Sequence, residues 1–403
     1  MPNSITDPLC SLNQGELSGS EPIRPSTECT PLFPHKFAAE VTENDDAIFR
    51  KITLTDLAPE QVEQILSPPF IRSRQKNVLA VHWHPEFIPM ELIEKRIHSM
   101  FPDMDCGLII PTQHNELMTF QEYAGVEIDA YSRGFNQKVQ LLLHFNKSRL
   151  ENAHVLRSML THTREYRLIQ LQDFIRTLTR PYEKRIQQAV KETGASEDII
   201  DFVCVQAKKI QQLMDQYADR IPQDMFKNKL LRNFVDELRP AYGDAWILRA
   251  QTFLYAVKQI VKSHFSLRYF YRTSEVIEEV RALGGCIVIP HPEQFWPILL
   301  ADYDVDGYEV WNPQSRKYTE FLIFVMNQKN NMMREHQRKL LLFMGDDTHM
   351  SEKIRDPDKQ DREKSVREIG FQPAWDDLHI RKALIIANMN RKKVIEEYRE
   401  RLG

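Results

Sequence analysis

The sequence predicts an α/β protein carrying a large helical insertion, and three observations support that class. Short, continuous apolar runs recur in two blocks, roughly 76–150 and 271–350, and almost every run ends in a histidine or an acid. Runs of this kind suit strands buried on both faces, as in parallel sheets covered by helical crossovers. Between about 150 and 270 the pattern turns helical and sheet-like runs disappear. Finally, segments such as "TSEVIEEVRALGG" combine a Ser/Thr start, an apolar stripe and a Gly-Gly stop, as a crossover helix requires.

The elements follow in order. Residues 1–40 are rich in Pro, Ser and Thr without periodicity and read as a disordered tail. An extension over 41–75 contains "TLTDLAPEQVEQILSPPF", a helix with Thr55 or Asp56 as its cap and Pro-Pro as its stop. The first strand block, 76–150, holds "NVLAVHWH" ending in His82 and His84, "CGLIIPTQH" ending in His114, "AGVEID" with Glu127, and "KVQLLLHF" with His144. The helical insertion over 151–270 includes "REYRLIQLQDFIRTLTRPYEKRIQQAVKETG" and "VCVQAKKIQQLMDQYADRIPQ". The second block, 271–355, holds "GGCIVIPHP" with His291, "VDGYEVWN" with Glu309, and "KLLLFMGDDTH" with Asp347 and His349. Residues 356–403 end in "RKALIIANMNRKKVIEEYRERLG", a segment suited to closing the fold.

Composition narrows the function. The 403 residues carry a formal charge of −4, so no global field attracts nucleic acid, although a local basic groove stays open. Five widely spaced cysteines form no CxxC pair, which excludes a thiolate zinc site or a disulfide framework as the organising feature. No apolar run approaches membrane-spanning length and no basic head precedes an apolar leader, so a cytoplasmic protein without membrane contact is expected.

The histidines carry the chemistry. Side chains at i and i+2 of a strand share a face, so His82 and His84 project together, and Asp347 and His349 repeat the spacing. In parallel α/β barrels such groups meet at the C-terminal ends of the strands. Imidazoles mixed with carboxylates suit zinc, manganese or iron, and Glu127 is the natural bridge between two cations.

The motifs "HWH", "IIPTQH", "GVEID", "VIPHP", "GYEVWN" and "GDDTH" resemble those of the PHP-domain (polymerase and histidinol phosphatase) superfamily, over about two-fifths of the chain. The resemblance implies a distorted seven-stranded (β/α) barrel with two or three divalent metal ions (Mn, Zn or Fe) and phosphoester hydrolysis by a metal-bound hydroxide. It implies a first metal on His82, His84, Glu127 and Asp347, and a second on Glu127, His291 and His144. It gives a third to His114 and His349. Asp347 and His349 are the expected catalytic pair, with His349 or a metal-bound water protonating the leaving group. Two departures concern the third metal: no aspartate or histidine stands in register in the turn after HWH, where Glu86 is the nearest substitute, and Gln113 replaces an aspartate.

For substrate, Asn312 is a pocket candidate, and Arg133 and Arg316 are phosphate-clamp candidates. Glu309 is expected to shape the pocket. "HFSLRYFYR", His264 to Arg272, interleaves arginines with aromatics, a composition that serves nucleic-acid contact or helix packing. The expected substrate is a phosphorylated small molecule, a nucleotide or an oligonucleotide. Two rival readings remain: an amidohydrolase-like metal hydrolase of C–N bonds, and a catalytically degenerate scaffold or regulatory protein.

Overall fold

The computed structural model describes residues 37–53, 55–180, 182–222, 225–334 and 337–403. Most of the expected N-terminal tail lies outside these residues. Ten strands are present: β1 Asn77–Ala80, β2 Trp83–His84, β3 Cys106–Ile109, β4 Met118–Phe120, β5 Tyr123–Ser132, β6 Gln137–Asn146, β7 Cys286–Ile289, β8 Gly307–Trp311, β9 Leu341–Met344 and β10 Thr348–His349. They pair as a six-stranded sheet in the order β4-β5-β6-β7-β8-β9 and two parallel pairs, β1-β3 and β2-β10. The pairing is thus not one continuous seven-stranded sheet. Single backbone bonds join the pieces: Asn115 N–H to Glu127 O at 2.7 Å, Glu127 N–H to Gln113 O at 3.1 Å, and Asp347 N–H to His82 O at 2.9 Å.

The apolar runs are buried on both faces as their composition requires; every residue of β5, β7, β8 and β9 is buried. Their direction differs from the all-parallel expectation. β5 and β6 are joined through residues 133–136, too short a connection for anything but an antiparallel pair, and β6 also runs antiparallel to β7. Parallel pairing holds for β7-β8 and β8-β9, where crossover segments intervene.

Two helices differ from expectation in detail. The helix predicted after Thr55 begins at Pro59, which occupies its first turn, and the Ala58 N–H donates to the Gln61 side chain at 2.9 Å. It ends at Leu66, ahead of the Pro-Pro pair. The N-terminal helix Glu43–Thr53 does not join the strands: Phe49 lies in the apolar core of the insertion, and Lys209 meets Asp45 at 2.8 Å in a buried ion pair. That core is built by the helices His154–Thr179, Glu183–Thr193, Glu197–Gln216, Leu230–Glu237 and Asp244–Ser263.

The C-terminal helix Arg391–Leu402 closes the strands. Arg399 donates to Gly107 O on β3 at 2.6 Å, Arg401 pairs with Asp306 just before β8 at 3.3 Å, and the Tyr398 ring packs edge-on against Phe343 of β9. A second anchor is buried. Arg96, on the helix Met90–Met100, holds Glu368 through two bonds of 2.7 and 2.9 Å, and Lys353 reaches the same carboxylate at 2.7 Å. Removing one partner of such a group leaves charges buried without compensation. Glu368→Ala should therefore lower unfolding stability by about 3–5 kcal/mol, read from the denaturant midpoint.

Candidate metal centre

β2 and the residue before it present His82 and His84 to one side, while Trp83 between them packs into the opposite cluster beside Phe120. The segment after β3 delivers His114, β5 delivers Glu127, the loop after β7 delivers His291, and the turn from β9 into β10 delivers Asp347 and His349. Asp347, which lies more than 260 positions after His84 in the chain, stands 3.4 Å from His84 Nε2 and 3.7 Å from His82 Nε2 through its Oδ1. Glu127 Oε2 is 3.7 Å from His84 Nε2 and 2.5 Å from His114 Nδ1, and its Oε1 is 3.6 Å from His291 Nε2. Three overlapping groups result, His82–His84–Asp347, His82–Glu127–His291 and His84–His114–His349, each with its ligand atoms within 4.8 Å of one another.

Their satisfaction is the telling feature. His82 Nε2, both nitrogens of His84, His291 Nδ1 and Glu127 Oε1 are buried without a hydrogen-bond partner, whereas His114 Nδ1 and Glu127 Oε2 have only each other. Buried polar atoms are almost always paired, so a pocketful of orphans calls for a missing partner. Spacings of 3.4–3.7 Å between imidazole nitrogen and carboxylate oxygen are long for hydrogen bonds. They match two ligand atoms each about 2.1 Å from one shared tetrahedral ion, which stand about 3.4 Å apart. The donor set therefore fits divalent cations.

The surroundings prepare these atoms. Glu309 accepts from His291 N–H at 2.9 Å and faces His82 Nδ1 at 2.6 Å, which leaves His82 Nε2 as the ligand nitrogen. A Cβ on Gly345 would overlap the Glu309 carboxylate, so that position must be glycine for Glu309 to keep its place. Asp347 Oδ2 accepts from Arg367 at 2.6 Å and from Gln314 at 2.9 Å, aiming Oδ1 at the histidines. Burial works against ionising Asp347, but the facing imidazole of His84 and the charge of His82 keep its carboxyl well below the usual range. Glu127 is likewise held low against burial by His114 and His291. Burial drives His84 down to about 3, aided by His114 and His349. His82 rises to about 10 despite burial, because Glu309, Asp347 and Glu127 surround it. Ionised carboxylates beside a neutral imidazole form a cation-seeking set.

Four non-glycine residues at this mouth, Glu86, Asn115, His291 and Asp347, adopt positive φ. Such backbone is uncommon outside glycine and gathers at functional sites.

The remaining expected residues are placed as follows. His144 does not join the cluster: its Nδ1 lies 2.7 Å from Tyr398 Oη and its Nε2 2.9 Å from Val81 O. The antiparallel course of β6 explains the correction. Leu142, not His144, stands opposite Glu127, and the C-terminal end of β6 points away from the end where the other strands converge. Glu86 accepts from Ser351 N–H at 2.9 Å and is not among the grouped ligands, so the third group is three imidazoles without an acid. Asn312 is buried after β8, with its Oδ1 accepting from Gln314 N–H at 3.1 Å, and contributes through that neighbour. Arg133, in the β5-β6 turn, and Arg316, in a short helical turn, are exposed and contact none of the cluster. Arg367 and Gln314 were not singled out from sequence. "KSVREIG" reads as an ordinary charged helix, and only the fold brings it to Asp347.

No family model and no curated protein matches the chain. Among solved structures, a putative metal-dependent phosphoesterase from Bifidobacterium adolescentis is similar at 18% identity with a TM-score of 0.36, over 77% of this chain and 94% of that one. A likeness of that degree carries no argument about fold or activity.

His82→Ala and Asp347→Ala should each lower the metal content of the purified protein, measured by elemental analysis. Gly345→Ala, which displaces Glu309 and so the support of His82 and His291 without removing a ligand, should weaken metal affinity about 10–100-fold in a chelator competition.

Proposed function

We propose that the chain is a metal-dependent phosphoesterase built on a distorted seven-stranded barrel of the PHP type. The observation that carries the activity is the set of buried imidazole and carboxylate atoms, many of them unpartnered, converging from five separate chain segments. The barrel reading is supported by the backbone bonds that link the segment after β3 to β5 through Gln113–Asn115 and the β9-β10 turn to His82.

In this reading His82, His84, Glu127 and Asp347 hold one cation, and Glu127 with His291 holds a second. Such cations lower the pKa of water and neutralise charge developing on a phosphoryl group. The chain's own contribution is placement: Glu309 orients His82, Arg367 and Gln314 orient Asp347, and the strands exclude bulk water from the ligand atoms. His114 and His349 keep 26% and 15% of their side chains exposed, whereas His82 and His84 keep none, so substrate approaches from the His114–His349 side. Phosphoester chemistry is preferred to C–N hydrolysis because a glutamate, rather than a lysine, stands between the metal groups. None of the described helices is long and apolar enough to cross a membrane.

The manganese-loaded protein should release phosphate from an aryl phosphate or hydrolyse an aryl phosphodiester. His82→Ala and Asp347→Ala should reduce the rate at least a hundredfold. Amide hydrolysis without phosphate release would select the amidohydrolase-like alternative. A fully loaded protein inert on nucleotide, oligonucleotide and sugar-phosphate panels would select the scaffold.

A further inference from the structure

A cleft of about 1340 Å³ runs from His114 and His349 to the helical insertion, larger than the roughly 300–1,000 Å³ of a small-molecule site. Its walls are strongly charged, and the pairing of those charges is uneven. The carboxylates are mostly matched: Glu237 and Asp356 with Lys51, Asp129 with Lys138 and Arg167, Asp236 with Arg239, and Glu352 with Arg355. Glu86, Asp56 and Asp358 are the cleft acids without a cation in ion-pair contact among the described residues.

Five lysines remain. Lys227, Lys229, Lys258, Lys262 and Lys364 line the cleft, and none has an ion-pair partner among the described residues; Lys258 has only the ring face of Tyr255, at 5.1 Å. They come from three places, the loop before the helix Leu230–Glu237, the helix Asp244–Ser263, and the short helix Arg362–Ser365. Their charges crowd one another. Burial, then Arg232, Lys262 and Lys229, push the Lys258 ammonium down to about 8, and burial, then Lys364 and Arg355, lower Lys229. Glu86 offsets part of the Lys227 charge and Glu352 part of the Lys229 charge, and the surplus that remains, centred on Lys258 and Lys262, is stabilised by an anion arriving from outside.

The arrangement leads away from the metal centre. Lys227 shares a recess with His114, Asn115 and Arg167, at the accessible end of the cluster. Lys258 and Lys262 are one helical turn apart, about 5–6 Å between side-chain roots, so each can take a different phosphate. One phosphate at the metals and one near Lys227 would leave the other four lysines unused, which a monophosphate does not explain. The "HFSLRYFYR" stretch contributes apolar wall: Phe265, Leu267 and Phe270 line the cleft, with Phe265 and Phe270 packed on Tyr166, and Arg272 pairs with Glu275.

We propose that this cleft binds the backbone of a single-stranded oligonucleotide, its successive phosphates lying on Lys227, Lys229, Lys258, Lys262 and Lys364 while one phosphodiester reaches the His114–His349 end. The proposal rests on the phosphoesterase reading for what happens to that diester, but the binding itself does not require turnover.

The test is fluorescence anisotropy of the metal-loaded, full-length protein with a labelled phosphorothioate single-stranded oligonucleotide, which resists cleavage. Wild type should bind, with an affinity that falls with salt. The Lys258→Glu/Lys262→Glu pair should bind at least tenfold more weakly, with a log–log salt slope shallower by about 1.4. Lys229→Glu, at an exposed position, should act in the same direction if the pair folds poorly, and Lys258→Arg should retain binding. On hydrolysable substrates the loss in kcat/KM should be at least tenfold larger for an oligonucleotide than for an aryl phosphate. Absence of oligonucleotide binding, or binding indifferent to these reversals, overturns the proposal. Inorganic tripolyphosphate binding as tightly, with the same lysine dependence, overturns it in favour of a small polyphosphorylated ligand. Lysine-dependent binding without hydrolysis of any phosphomonoester or phosphodiester leaves the cleft assignment standing and removes the phosphoesterase reading; phosphoester hydrolysis without oligonucleotide binding does the reverse.

Discussion

Burying ionisable ligand atoms side by side is the constraint on which this molecule is organised. Imidazole nitrogens and carboxylate oxygens converge in a space where each would be strongly penalised if left alone. An isolated carboxylate in such surroundings would take up a proton, yet Glu127 and Asp347 are driven the other way by the histidines facing them. The cluster is thus stable only as a set. Its members oppose one another across gaps of 3.4–3.7 Å that a divalent cation fills.

The layer outside the cluster explains how so demanding a set is held. Glu309 ties His82 to His291, and Gly345 leaves the space that Glu309 occupies. Asp347 is oriented by Arg367, whose own segment is pinned because Arg96 and Lys353 share the carboxylate of Glu368 one residue later. Neighbouring Asp346, pushed up to about 7 by burial, accepts from Gly370 N–H and from Gln372 and so fixes the same turn from the other side. The positive φ of Asp347 is accommodated because contacts on both sides of the residue determine its position.

The insertion adds electrostatics rather than ligands. Its helices have an apolar core of their own and meet the strands partly through Arg167 and Asp129, so a charged cleft is left open between the two bodies. A protein with a formal charge of −4 can still present a local surplus of lysines there, because most of the facing acids are already matched to other cations. Net charge describes the far field; pairing decides what a groove attracts.

Much of the centre was legible in the chain itself. HxH on a strand must project two imidazoles to one side, and an acid in a buried run must find a cation or a donor, so His82, His84, Glu127, His291, Asp347 and His349 could be picked from local pattern alone. Strand burial followed from continuous apolar runs in the same way. Direction did not: the period-two pattern is identical for parallel and antiparallel strands, so the reversal of β6, and with it the removal of His144 to Tyr398 and Val81, depended on a four-residue connection. Nor did the supports of the site show themselves: Arg367 and Gln314 lie in stretches with no distinctive periodicity, and Gly345, although it opens "GDDTH", gives no sign in sequence that its missing side chain makes room for Glu309. Which residues could bind a cation is a property of side-chain chemistry and spacing, written locally. Which of them meet, and which cations in the cleft stay unpaired, depends on contacts across hundreds of residues, and only the tertiary structure decided that.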